Sequence, residues 1–258
     1  GIFVIPRICA SRIRPIIFTI RAIPTAKSTF RQRPAHDAKQ ALIQAIPMNE
    51  PADGIIDLWP TKMLRRQLPD FAEPNQELLK LIREMEKSNK SLTTDYRDNN
   101  LLNIDHPGAN WLRGAVNDTV IQYLQAIGID YPVDWQIHAW ANVNRMGDYH
   151  DLHNHPHSYL SGTYYVKVPA PDQSGQRGDG RPNHITFYDP RPGINMVSIK
   201  NDPYIEPEFT ILPKPGLIML WPAFLNHFVH PNLSKETRVS VSFNIILKWA
   251  DHYLPSQE

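Results

Sequence analysis

Apolar and polar positions along this chain follow two different periods, and the change from one to the other divides it. Between Asn75 and Lys90, Leu78, Leu79, Leu81, Ile82 and Met85 recur at helical spacing, with Pro74 and Asn75 as a start signal. Asn110 to Ile127 predicts a second helix. There Trp111, Leu112, Ala115, Val116, Val120, Ile121 and Leu124 share one face, and Gly128 stands where a helix stop belongs. Upstream, Leu58-Trp59-Pro60-Thr61 reads as a short extended piece, because a residue before proline is pushed out of helical space.

After Pro132 the period becomes two. Trp135, Ile137, Ala139, Ala141 and Val143 alternate with Gln136, His138, Trp140, Asn142 and Asn144, which predicts a long strand with one polar face. Further strands are expected at Tyr159–Val168, His184–Tyr188, Met196–Ile199, Glu208–Leu212, Gly216–Trp221, Phe224–His230 and Thr237–Leu247. Turns bearing proline or glycine separate most of them. Pro169–Asn183 is the longest interruption, polar and of a length that usually means a lid or a disordered loop. Seven or eight short strands in succession fit a sandwich or barrel with a closed interior.

Composition narrows this reading. A chain of 258 residues with 41% hydrophobic and 10% aromatic content is globular, and its 24 prolines against 12 glycines suit many short segments. One cysteine, Cys9, excludes an internal disulfide and a multi-thiolate metal site. No apolar run approaches the ~20 residues a membrane-spanning helix needs. The formal charge of +1 hides an asymmetry, since residues 1–36 carry six arginines and Lys27 with no acid before Asp37. The other 222 residues hold 20 basic and 26 acidic side chains, a net −6. That front segment resembles an organellar transit peptide, the alternative being a basic tail. A cytoplasmic location is expected otherwise. The acidic body argues against a nucleic-acid track, which needs a basic surface.

Histidine supplies the chemistry. Four of the eleven lie in His150-Asp151-Leu152-His153-Asn154-His155-Pro156-His157. Neutral imidazole is the commonest side-chain metal ligand, and on a strand His153 and His155 would face the same side. An apolar run from Gly216 turns at Pro222 and arrives at His227. Eleven residues on lies Arg238, opening a strand whose even positions, Arg238, Ser240, Ser242 and Asn244, are all polar. Buried, such a face requires partners or a polar ligand; a carboxylate gripped by Arg238 and a serine hydroxyl would satisfy it. An edge strand with that face in water is the alternative.

His153, a distant histidine at His227 and an arginine about ten residues further on resemble the iron(II)/2-oxoglutarate dioxygenases, whose mark is an HxD/E pair followed by such a histidine and arginine. Leu58-Trp-Pro-Thr61, His153-Asn-His-Pro156, Leu160-Ser-Gly-Thr-Tyr-Tyr-Val166, Tyr188-Asp-Pro-Arg191 and Leu220-Trp-Pro222, with His227, Arg238 and Ser242-Phe-Asn244, are similar to a group of small 2-oxoglutarate oxygenases. The resemblance covers roughly residues 55–250. It implies a mainly β fold with flanking helices and a double-stranded β-helix core, the jelly roll shared with cupins. In the domain organisation it implies, a basic extension occupies residues 1–54. A single oxygenase domain follows at 55–258, with helical support at 74–128 and the core at 132–248.

The same resemblance implies the cofactors iron(II), 2-oxoglutarate and O2. His153 and His227 match the iron-binding histidines. Arg238 and Ser240 match the pair that grips the distal carboxylate of the keto-acid, with Asn142, Asn144 and Tyr164 as further co-substrate contacts. The usual carboxylate, two residues after the first histidine, is His155 here. Either three histidines bind the metal or Asp151 supplies the carboxylate. The implied reaction oxidises a C–H bond of a small molecule or amino-acid side chain, releasing succinate and CO2. His157, Trp140 and Arg191 are candidate substrate contacts. His150 is expected beside the ligands, and Trp140, Tyr165, Phe187 and Trp221 as enclosing walls. A cupin-like metal-binding jelly roll, or a three-histidine dioxygenase needing no keto-acid, is the alternative. The expected partners are a small-molecule substrate and, through exposed jelly-roll faces, a second copy of the chain.

Overall fold

The computed structural model describes residues 59–89, 92–93, 100–170, 180–192, 199–200, 202 and 204–253. They belong to a compact unit, Trp59–Glu258, and a separate unit, Gly1–Leu58, lies outside the described residues together with the whole basic extension. Most of the Pro169–Asn183 loop and residues 196–198 of the expected Met196–Ile199 strand also lie outside them.

The two expected helices form, α1 at Ala72–Ser88 and α2 at Pro107–Ala126. Proline at the first turn of α2 costs no hydrogen bond, and the His106 side chain accepts from Gly108 N. Leu78 and Ile82 of α1 and Leu112, Val116, Val120 and Leu124 of α2 are buried in one apolar cluster.

Among the described residues, nine strands form two antiparallel sheets. The strands are β1 Leu64–Gln67, β2 Trp135–Asn144, β3 His150–His153, β4 Leu160–Lys167, β5 Ile185–Tyr188, β6 Glu208–Ile211, β7 Leu217–Pro222, β8 His227–Val229 and β9 Arg238–Leu247. The major sheet runs β1-β7-β4-β9-β2 and the minor sheet β3-β8-β5-β6. This order, with successive strands crossing between sheets, is the double-stranded β-helix expected above.

Alternation decides what faces what. From β2 and β9, Ala139, Ala141, Val143, Val239, Val241, Phe243 and Ile245 join the cluster packed with the helices. Their polar neighbours Asn142, Asn144, Arg238 and Ser240 are buried on the other face. Register pairs Asn142 with Ser240 and Asn144 with Arg238. β9 lies between β4 and β2, so its polar face is interior and the edge-strand alternative fails. The free edge of β2 is covered by side chains. Asn100 donates to Ile137 O at 2.8 Å and accepts from Ala139 N at 3.2 Å, and Thr93 accepts from Val143 N at 3.0 Å. Such plugs close an otherwise adhesive edge. At Gly162 a Cβ would come within 2.3 Å of the Phe243 ring, so only glycine lets β4 lie so close to β9.

Several local expectations are corrected. Trp59 has φ 53°, so it avoids right-handed helical space through the left-handed region rather than by being extended. Strand β1, not anticipated, adds to the edge of β7. Residues 223–226 form the turn after β7, with Leu225 N bonded to Pro222 O at 3.0 Å, which shortens the expected Phe224–His230 strand to β8. Ile199 is not in a strand.

Candidate metal centre and polar cavity

Between the sheets lies a cleft lined by residues of β2, β3, β4, β5, β7, β8 and β9. One end is made of imidazoles. His153 closes β3, His227 opens β8, and register sets them opposite one another. His155 lies just beyond β3, where its backbone N–H donates to Ala223 O at 3.0 Å. The ring centroids are 4.3 Å apart for His153 and His227, 5.1 Å for His153 and His155, and 5.2 Å for His155 and His227. One ring nitrogen of each lies within 4.8 Å of the others, a spacing at which three imidazoles can hold one metal ion.

Local backbone sets the tautomers. His153 Nδ1 meets Asp151 O at 2.5 Å, and His227 Nδ1 meets Leu225 O at 3.0 Å. A carbonyl only accepts, so both Nδ1 atoms carry hydrogen and each Nε2 keeps a free lone pair. Burial pushes the His155 pKa down to about 4 and the His227 pKa down to about 3, with neighbouring imidazoles adding to the effect. The His155 and His227 rings are therefore unprotonated at neutral pH.

Asp151 does not take part. Its side chain is exposed and its Oδ1 accepts from Leu152 N at 2.7 Å. The expectation that it shares a face with His153 assumed a regular strand, whereas the β3–β8 pairing shifts register between His150 and His153. His155 reaches the cluster from outside the strand for a related reason: the chain has already begun to turn.

The other end is polar and deep. Arg238 is 1% exposed and donates from Nη1 to His230 O at 3.2 Å. Its Nε has no partner, and among the described residues no acid forms an ion pair with it. Burial lowers its pKa from the usual value. Asn142 Nδ2 donates to Ser242 Oγ at 2.8 Å, and Asn144 Nδ2 lies 3.1 Å from His150 Nε2. Both amide oxygens, like Trp221 Nε1, are buried without partners. All five of Asn142, Asn144, Arg238, Ser240 and Trp221 line the cleft. Native interiors satisfy nearly all such atoms, so this concentration in one cavity marks the place of a polar ligand.

Other expected contacts fall elsewhere. Tyr164 points to the helices, where its hydroxyl donates to Asn75 Oδ1 at 2.5 Å and its ring meets Trp111 edge-on at 5.8 Å. Its neighbour Tyr165 lines the cleft instead, as alternation along β4 requires. Trp140 lines the cleft 6.0 Å from the His155 ring. His157 is exposed in a turn at φ 67° and Arg191 is bound to Asp189 at 2.6 Å; neither lines the cleft. His150 does line it, as does Thr163, which sequence reasoning passed over. The signal for Thr163 was its place two residues from Tyr165. Phe187 stands behind the wall, against Trp221 and His227.

Fold and site together have the layout expected of the iron(II)- and 2-oxoglutarate-dependent oxygenases: two jelly-roll sheets, an imidazole cluster at one end of the interior and a buried guanidinium at the other. Residues 138–244 match the family described as "Putative 2OG-Fe(II) oxygenase", and every residue lining the cleft falls inside that match. Over this segment the chain is similar to the 2OG-Fe(II) oxygenases, oxidoreductases whose cofactors are iron(II), 2-oxoglutarate and O2.

Solved structures are similar at low identity. A prolyl-4-hydroxylase from Pseudomonas putida is 12% identical, with 73% of this chain and 89% of that one covered, at a TM-score of 0.47. A prolyl hydroxylase from Trichoplax adhaerens, in complex with a hypoxia inducible factor oxygen degradation domain peptide fragment, is 13% identical over 71% and 83% at 0.49. HygX from Streptomyces hygroscopicus, with nickel and 2-oxoglutarate bound, is 12% identical over 72% and 81% at 0.43. No curated protein matches the chain. Among the described residues, no helix is long and apolar enough to cross a membrane.

Proposed function

We propose that this oxygenase oxidises a C–H bond of a small molecule or amino-acid-like substrate, converting 2-oxoglutarate and O2 to succinate and CO2. The observation that carries this reading is one cleft with the triad His153, His155 and His227 at one end and Arg238 at the other. In it His153, His155 and His227 would hold iron(II) through one ring nitrogen each. Bound iron supplies the activation of O2 that makes an unactivated C–H bond reactive.

The chain's own residues do the rest. Arg238 and Ser240 receive the distal carboxylate, and Asn142 and Asn144 flank it. The Ser242 hydroxyl and the His150 ring can each donate as well as accept. A half-turn of either amide would therefore offer its NH2 to an anion and keep the existing hydrogen bond. Trp140, Tyr165 and Trp221 restrict water at the reacting centre. Three neutral ligands leave the metal one unit more positive than a set containing a carboxylate, which favours anionic co-ligands.

Anaerobic addition of iron(II) and 2-oxoglutarate should produce a weak visible charge-transfer band, and admission of air should yield succinate. Neither signal from the metal-loaded protein would refute the reading. His155, standing where the family carries a carboxylate, also supports a second reading, a three-histidine dioxygenase that uses no keto-acid. That enzyme would consume O2 without forming succinate and would not respond to loss of Arg238.

A further inference from the structure

Trp221 is the penultimate residue of β7, opposite Ser161 of β4. It is 2% exposed and stands edge-on to Phe187 at 4.9 Å and to His227 at 5.1 Å. Its apolar company, including Leu217, Met219 and Leu225, asks only for a large ring at this position. A phenylalanine would meet that demand without burying a donor. Yet Nε1–H is buried, has no acceptor, and belongs to a residue lining the cleft. Indole is donor-only, so no change of tautomer or rotation of a hydroxyl can satisfy it from its own side. An unpaired buried donor is destabilising, and its missing acceptor is best sought in the ligand that shares the cavity.

Position says which end of the ligand. Ser161 pairs with both Trp221 and Asn244, which places Trp221 in the cross-strand row of Asn244. Arg238 lies six residues away along β9, about 20 Å at roughly 3.3 Å per residue. The two side chains thus approach one cavity from opposite ends, Trp221 beside the metal ligand His227 and Arg238 at the far end. We propose that Trp221 Nε1–H donates a hydrogen bond to the metal-side carboxylate of 2-oxoglutarate, the end opposite the one held by Arg238. This rests on the co-substrate reading above and adds a second, neutral anchor to it.

The test uses the full chain loaded with redox-inert zinc(II) and carrying 15N-labelled tryptophan. Replacing Trp221 with 3-benzothienylalanine, which keeps the ring shape and lacks the N–H, identifies its signal among the six tryptophans. Addition of 2-oxoglutarate should move that indole cross-peak downfield. Calorimetry should show 2-oxoglutarate binding weakened about tenfold or more in Trp221→Phe and in the benzothienyl protein, as for loss of a hydrogen bond to a charged group. Zinc affinity should stay unchanged. A cross-peak that stays put, or that moves with zinc alone, overturns the proposal, as does unchanged co-substrate affinity while Arg238→Ala abolishes binding. If the wild-type protein binds no 2-oxoglutarate, the functional reading fails and this inference with it. If Trp221→Phe does not fold, the wild-type cross-peak decides.

Discussion

The two ends of the cleft are built differently. The arginine end rests on β2 and β9, ten residues each, paired along their whole length. The metal end rests on the four-residue β3, the three-residue β8 and a turn, with His153 and His155 only half-buried. Long paired strands hold a guanidinium and two amides in register before any ligand arrives. Short strands and turns place the three imidazoles close together but leave one side open. The arginine end is thus fixed by its strands, whereas the metal end is held by short elements.

Breaking the rigid end should have the largest effect. Arg238→Ala is expected to weaken 2-oxoglutarate binding about 100-fold or more, the loss of a forked charge-assisted contact, while metal affinity stays near wild type. Titration calorimetry on zinc-loaded protein separates the two quantities, and a parallel fall in both would show the ends to be one unit. At the open end, His227→Ala should weaken metal binding beyond the roughly 100-fold that losing an outer hydrogen bond costs, because it removes a ligand. Asp151→Ala should leave metal affinity unaltered; a loss there would restore the carboxylate alternative.

Acid should weaken the metal-free protein in a defined window. Burial, the largest cause, pushes the His150 and His155 pKa values down to about 4 and that of His227 down to about 3. An unfolded chain takes up these protons near pH 6.5. As pH falls from about 6.5 towards 4, the unfolded state binds protons that the folded state refuses, and stability falls. Above pH 7 these groups contribute no slope. Thermal melts of metal-free protein should show the decline, with His155→Asn flattening it; an identical slope in that variant would remove His155 from the account.

The smallest expected change compares two neighbouring tyrosines. Tyr164→Phe leaves the buried Asn75 Oδ1 without its donor and should cost about 1–3 kcal/mol of stability in denaturant melts, without altering 2-oxoglutarate affinity. Tyr165→Phe changes a wall of the cleft and should affect co-substrate affinity more than stability. The reverse pattern would mean that the faces of β4 are exchanged.

That pair also shows where sequence patterning loses its resolution. Along β2, Trp140 apart, and from Arg238 to Asn244 of β9 apolar and polar residues alternate, so parity alone put Asn142, Asn144, Arg238 and Ser240 on one face. β4 reads Leu-Ser-Gly-Thr-Tyr-Tyr-Val-Lys and is buried on both faces. With helices against one side and the cleft against the other, two adjacent tyrosines carry no contrast to say which is which. The choice between His155 and Asp151 failed to resolve for another reason. It depends on a shift in strand pairing between His150 and His153, and such shifts are set by the partner strand.

Sequence patterning alone determined a β-sandwich or barrel, the two helices, the polar faces of the long strands, and a chemistry drawn from clustered histidines and one arginine; the jelly-roll form was implied by the family resemblance. Those features follow from local periodicity and residue type, which each segment carries within itself. Tertiary structure alone decided that the polar face of β9 is interior, that Asp151 turns outward, that Tyr165 rather than Tyr164 meets the cleft, and that Trp221 buries an unanswered N–H. Each of these is settled by what lies across the sheet or across the cavity, and no segment encodes its neighbour's position.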